Sequence, residues 1–171
     1  GHGAIQDTTF FKVTAGATRV QRLFGRSMGI VRVNGQYSPN KLFAAEQMQM
    51  GGPYTLRGYQ PAELIGDYGV TGTVEYRFPV PFLDRILPKV RLKLAVFYDW
   101  GWLGENGGIY NYPQQFLHSV GFGTYVNFTD WLTAQVGVGF PLGRDYNENT
   151  ARFYFSVNSD LDRLIPLRNP E

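Results

Sequence analysis

The chain has 171 residues, 43% hydrophobic, 16% aromatic and 18% charged, with a formal net charge of +2. So small a charge, spread along the chain, sets nucleic acid aside, and the absence of cysteine excludes disulfides, thiolate zinc sites and a cysteine nucleophile. The 21 glycines argue against long helices, since Gly costs about 1 kcal/mol per helical position relative to Ala, and no apolar run approaches the ~18 residues of a transmembrane helix. A membrane role therefore requires strands, each needing only ~10 residues of alternating pattern.

Residues 8–18 alternate loosely, with Phe11, Val13, Ala15 and Ala17 opposite Lys12, Thr14, Gly16 and Thr18, and predict a first strand. Phe24-Gly25-Arg26 is a turn, and Val31, Val33, Gly35 and Tyr37 then alternate with Arg32, Asn34, Gln36 and Ser38 as a second strand. Pro39 ends it. Residues 39–69 follow as one large loop, too long for a hairpin turn and too rich in Gly and Pro for a strand, with Arg57 at its centre between Leu56 and Gly58-Tyr59.

The third strand places Val70, Gly72, Val74, Tyr76 and Phe78 on one parity and Thr71, Thr73, Glu75 and Arg77 on the other, until Pro79 and Pro81 stop it. Residues 82–89 connect to the clearest segment, 90–102. There Val90, Leu92, Leu94, Val96, Tyr98, Trp100 and Trp102 oppose Arg91, Lys93, Ala95, Phe97, Asp99 and Gly101. At ~3.3 Å per residue it spans ~40 Å, enough to cross a tilted hydrocarbon layer. A polar loop over 103–117 precedes strands at 119–128 and 132–140, joined at Thr129-Asp130, and loop 143–150 precedes a last strand at 152–158. The tail 159–171 shows no period of two, so the expected division is barrel strands over 1–158 and a tail over 159–171.

Two regularities favour a membrane barrel over a soluble β-sandwich binding module. Tyr76, Phe78, Tyr98, Trp100, Trp102, Phe128, Phe140, Phe153 and Phe155 gather towards strand ends on the apolar parity, as an interfacial girdle does. Connections also alternate between short and long, although 79–89 is longer than that rule prefers. Roughly seven strands is an odd number, which fits the C-terminal part of a larger barrel completed by further strands or by a second copy of the chain.

An enzyme is not expected. His2 and His118 are not at a metal-ligand spacing, and His118 and Ser119 point to opposite faces of a strand. Gly137-Val138-Gly139 with Gly143 sits in an alternating segment with no helix to receive a phosphate, so small inward residues are the better account. No cofactor or metal is implied.

The ordered set Glu46, Gly51-Gly52, Leu56-Arg57-Gly58-Tyr59, Gly66-Asp67, Glu75-Tyr76-Arg77 and Phe97-x-Asp99-x-Gly101 resembles the outer-membrane transporters of two-partner secretion, the FhaC and ShlB (TpsB) type, in the superfamily that includes BamA. The resemblance implies an antiparallel transmembrane β-barrel of about 16 strands in the bacterial outer membrane. It also implies a translocated polypeptide as partner, and a loop folded into the lumen so that Arg57 meets Asp99. BamA-type assembly of client proteins is the alternative role. Phase agrees with the loop placement, because Phe97, Asp99 and Gly101 share the polar, inward parity and Gly101 leaves room for loop backbone. Glu75 faces inward as well and is an alternative acceptor for Arg57, while a solvated Arg57 is the plain reading of the residues alone. A pair in a partly solvated lumen would contribute ~1 kcal/mol or somewhat more. The tail departs from the family, whose barrels end on an aromatic residue, and no substrate-recognition residue can be carried over.

Overall fold

The computed structural model describes residues 9–81, 90–106, 115–129, 131–142 and 151–159. Seven strands form one antiparallel sheet with sequential neighbours: β1 (Val13–Arg22), β2 (Met28–Tyr37), β5 (Tyr68–Pro79), β6 (Arg91–Gly104), β7 (Gln115–Asn127), β8 (Leu132–Leu142) and β9 (Arg152–Ser159). Two short strands, β3 (Met48–Met50) and β4 (Leu64–Gly66), pair with each other inside the connection between β2 and β5. The 39–69 segment is therefore an extended arm stiffened by its own small hairpin, not an unstructured loop.

Strand boundaries depart from the sequence pattern where both faces are polar or where Gly interrupts the alternation. The first strand runs over 13–22, not 8–18, because pairing with β2 continues to Arg22 opposite Met28, through residues exposed on both faces. The second begins at Met28. The polar loop at 103–117 is shorter than expected, since β6 continues to Gly104 and β7 starts at Gln115. Residues 1–8, the connection 82–89 and the tail from 160 onward lie outside the described residues.

The two faces of the sheet differ as parity requires. One carries Val74, Val96, Phe122, Val136, Phe153 and Phe155, all exposed. Phe153 is 84% exposed and Phe155 69%, which for a sheet in water would be an unpaired apolar surface. On the same face Trp102 meets Tyr68 with ring centroids 5.6 Å apart near the long-connection end, and Tyr76 stacks on Phe78 at the other end. Strands of 12 (β5), 14 (β6), 13 (β7) and 11 residues (β8) are long enough to cross a bilayer at a tilt, so hydrocarbon is the solvent that suits this face.

The opposite face is covered by the arm. Met50 and Leu56 from the arm, with Leu103 of β6 and Leu117 of β7, form a buried apolar cluster, flanked by Met48, Tyr59 and Leu64. At ~1.5–3 kcal/mol for each fully buried side chain, this cluster is the main apolar attachment of the arm to the sheet. Among the described residues the second sheet is the two-stranded β3–β4 pair of the arm, too small to be the second layer of a β-sandwich, which removes that alternative. The core lies between an inward arm and a barrel wall.

Candidate functional site

Register fixes the wall of the site. Pairing of β5 with β6 sets Thr73 opposite Asp99 and Glu75 opposite Phe97, and pairing of β6 with β7 sets Asp99 opposite Ser119. All five side chains point to the arm-covered face. Two carboxylates on adjacent strands, next to the Phe97 ring, make a cradle for one cation.

Arg57 fills it. The guanidinium donates from Nε to Asp99 Oδ2 at 2.8 Å and from Nη2 to Asp99 Oδ1 at 2.8 Å, a two-pronged grip that Lys cannot reproduce. The Arg57 backbone N–H donates to the same Oδ2 at 3.0 Å, and Nη1 donates to Glu75 Oε2. The guanidinium carbon lies 3.5 Å from the centre of the Phe97 ring. Arg57 is 6% exposed, Glu75 4% and Asp99 fully buried.

The structure corrects two expectations. Glu75 is not an alternative to Asp99, since Arg57 holds both at once. The pair is also not partly solvated, so its rupture belongs to the buried regime of several kcal/mol instead of ~1. Burial alone would push the Arg57 pKa down, but hydrogen bonding and charge from Asp99, with the charge of Glu75, outweigh it and hold the pKa above its ordinary value. Arg57 is therefore a fixed cation.

Glu75 has further partners. Its Oε1 accepts from Arg77 Nε and from the Tyr125 hydroxyl at 2.9 Å, and Arg77 also donates to Tyr125 at 2.9 Å while stacking 3.8 Å from its ring centre. Two guanidiniums and two carboxylates thus balance in formal charge. That balance lets Arg57, Glu75 and Asp99 be withdrawn from water together, with Arg77 half-buried beside them.

Glycines set how closely the arm approaches. Gly58 has φ +106°, a backbone conformation open to Gly, and a Cβ there would lie 3.1 Å from the Gly139 carbonyl carbon and 3.2 Å from Phe140 N. The inward glycine of β8 is thus the seat for the arm's tip. On β6, a Cβ at Gly101 would meet Met50 Sδ at 2.5 Å. Gly51 and Gly52 also have positive φ and start the turn whose tip is closed by Gly52 N–H donating to Tyr59 O at 3.2 Å. Leu56 is fully buried in the apolar cluster, and the Tyr59 hydroxyl reaches the carbonyls of His118 at 3.0 Å and Leu142 at 3.1 Å.

Sequence reasoning missed the anchorage at the base of the arm. Asp67 is fully buried and accepts from Leu42 N at 2.8 Å, Gln47 Nε2 at 3.0 Å and Asn106 N at 2.6 Å, while its own N–H donates to Gly104 O at 2.9 Å. Asn106 Nδ2 in turn donates to Ser38 O at 2.6 Å. Its place right after Gly66 at the end of the arm was the available signal. The missed partners of Tyr59 and Gly58 are backbone groups, which side-chain identity does not advertise.

An antiparallel sheet with one exposed apolar face and an inner face that holds an arm by a buried Arg-carboxylate cluster has the make-up of a section of outer-membrane β-barrel wall. The family described as haemolysin secretion/activation protein ShlB/FhaC/HecB matches residues 6–126, more than half of the chain, and the chain belongs to it. The outer membrane transporter CdiB of Dickeya dadantii (strain 3937) is 30% identical over 112 residues, covering 63% of this chain and 18% of that protein. The solved CdiB from Acinetobacter baumannii shares the fold with a TM-score of 0.63 at 23% identity, covering 88% of this chain and 27% of that one. The chain thus spans less than a third of either relative, and its sheet is part of an outer-membrane barrel of the two-partner secretion type.

Proposed function

We propose that the whole protein passes an unfolded polypeptide across the outer membrane, and that residues 39–69 form an arm held in the lumen as a plug with Arg57 as its latch. The observation that carries this reading is the buried Arg57 guanidinium shared between Asp99 and Glu75 on two adjacent wall strands. A surface loop without a positional task would leave its cation in water, where it costs nothing. Here the cation is desolvated, gripped from two sides and laid on an aromatic ring, which fixes both the depth and the rotation of the tip.

The work is movement of a chain through a lumen, with no bond made or broken. Family membership favours secretion of a partner protein over the BamA-type assembly role. In the full-length transporter, Arg57→Ala and Asp99→Ala are each expected to reduce secretion of the partner while the barrel stays heat-modifiable on gels. Wild-type secretion by both variants would refute the latch.

A further inference from the structure

The latch balances its charges without one nearby cation. Arg32 of β2 pairs with Thr73 of β5, which pairs with Asp99 of β6, so the three share one row of the inner wall. Its chain neighbours Val31 and Val33 take the opposite, exposed apolar face. Arg32 is half-buried, and with Arg57, Glu75 and Arg77 it lines a cavity of about 130 Å³ to which the arm contributes Pro53, Tyr54 and Thr55. Among the described residues it nevertheless makes no hydrogen bond, ion pair or ring contact. In the docked arm Arg57 takes Asp99 and one oxygen of Glu75, while Arg77 and the Tyr125 hydroxyl take the other. Three guanidiniums thus meet two carboxylates, and Arg32 is the one left over.

The count reverses when the tip lifts. Asp99 then loses its cation and Glu75 loses one of two, whereas Arg77 stays tied to Glu75 and to the Tyr125 ring. Arg32 stands diagonal to Glu75, at ~7–8 Å between Cα atoms, and two strand spacings, roughly 10 Å, from Asp99. An extended arginine side chain reaches either acid. We propose that Arg32 is an exchange cation, closing on Asp99 and Glu75 as Arg57 leaves and releasing them as the arm returns. The inference rests on the plug reading above. Two effects carry one sign: with the arm docked, Arg32 repels Arg57 and Arg77 across the cavity, and with the arm lifted it stabilises the vacated acids. Both narrow the gap between the two states, so an arm held by a buried ion cluster can still be let go.

The test is Arg32→Gln in the full-length transporter, read by hydrogen exchange at the amides of Gly52 and Tyr59. Loss of the exchange cation should raise their protection about threefold, the opposite direction from loss of a latch residue, and Arg32→Lys should restore the wild-type value. A residue that only props the wall would lower protection or leave it alone. In a second measurement, Arg32→Gln added to Arg57→Ala should lower the temperature of heat modification below that of Arg57→Ala, because the wall acids then lack both cations. Tip protection unchanged or reduced in Arg32→Gln, or a double variant no less heat-resistant than Arg57→Ala, would overturn the proposal. The plug reading fails separately. If Arg57→Ala and Asp99→Ala secrete normally while Arg32→Gln tightens the tip, the plug falls and the exchange stands; if both impair secretion while Arg32→Gln leaves the tip unchanged, the exchange falls and the plug stands.

Discussion

Asp99→Ala isolates the latch. The substitution removes the acceptor of three hydrogen bonds from Arg57, at 3.0, 2.8 and 2.8 Å, and leaves a guanidinium 6% exposed with Glu75 as its remaining carboxylate. Breaking a buried pair from one side costs about 3–5 kcal/mol. Because Glu75 keeps one contact and the freed tip can swing to water, the low end applies, near 3 kcal/mol. At 1.4 kcal/mol per decade, that raises the undocked fraction of the arm about a hundredfold. Hydrogen exchange on the full-length transporter reads this through the amides of Gly52 and Tyr59, which are bonded to Tyr59 O and Leu56 O in the docked arm, whereas the Arg57 amide loses its own acceptor in the variant. Their protection should fall about a hundredfold in Asp99→Ala while amides within β6 and β7 keep theirs. A change below about threefold at the tip would refute the argument, since the latch would then contribute under about 0.7 kcal/mol.

Other positions test other parts of the arm. Gly58→Ala forces a Cβ against the β8 backbone at 3.1–3.2 Å in a positive-φ conformation, at about 2 kcal/mol or more, and tip protection should fall at least twentyfold. Asp67→Asn turns an amide donor toward one of the N–H groups that the carboxylate now accepts, costing about 1–3 kcal/mol. The loss should appear as faster exchange at Leu42 and Asn106, with less effect at Arg57. Tyr59→Phe removes a hydroxyl bonded to the carbonyls of His118 in β7 and Leu142 at the end of β8 and should lower tip protection about fivefold, equivalent to about 1 kcal/mol.

The wall was legible from the sequence because alternation of period two survives in β5 through β8, where one side must tolerate lipid and the other an arm. Asp99 could be placed inward by counting from Trp100, and Glu75 likewise from Val74. Choosing between them as the partner of Arg57 was the wrong question. A planar guanidinium has donors on two sides, and strand pairing puts both acids within reach of it. The limits of β1 were obscured because Thr18, Arg19, Gln21 and Arg22 leave no apolar face to count. β3 and β4 escaped notice because three-residue strands carry too little alternation to read. The seat of Gly58 on Gly139 joins residues far apart in sequence through backbone atoms, and side-chain type carries little trace of such a contact.

A disulfide across the latch asks most directly whether the arm lies against the inner wall. Arg57→Cys/Asp99→Cys in the full-length transporter should cross-link under mild oxidation in native membranes, as shown by a reducible mobility shift, and shield the thiol introduced on the arm from a membrane-impermeant maleimide. No cross-link, together with full labelling of the arm thiol from outside the cell, would contradict the account.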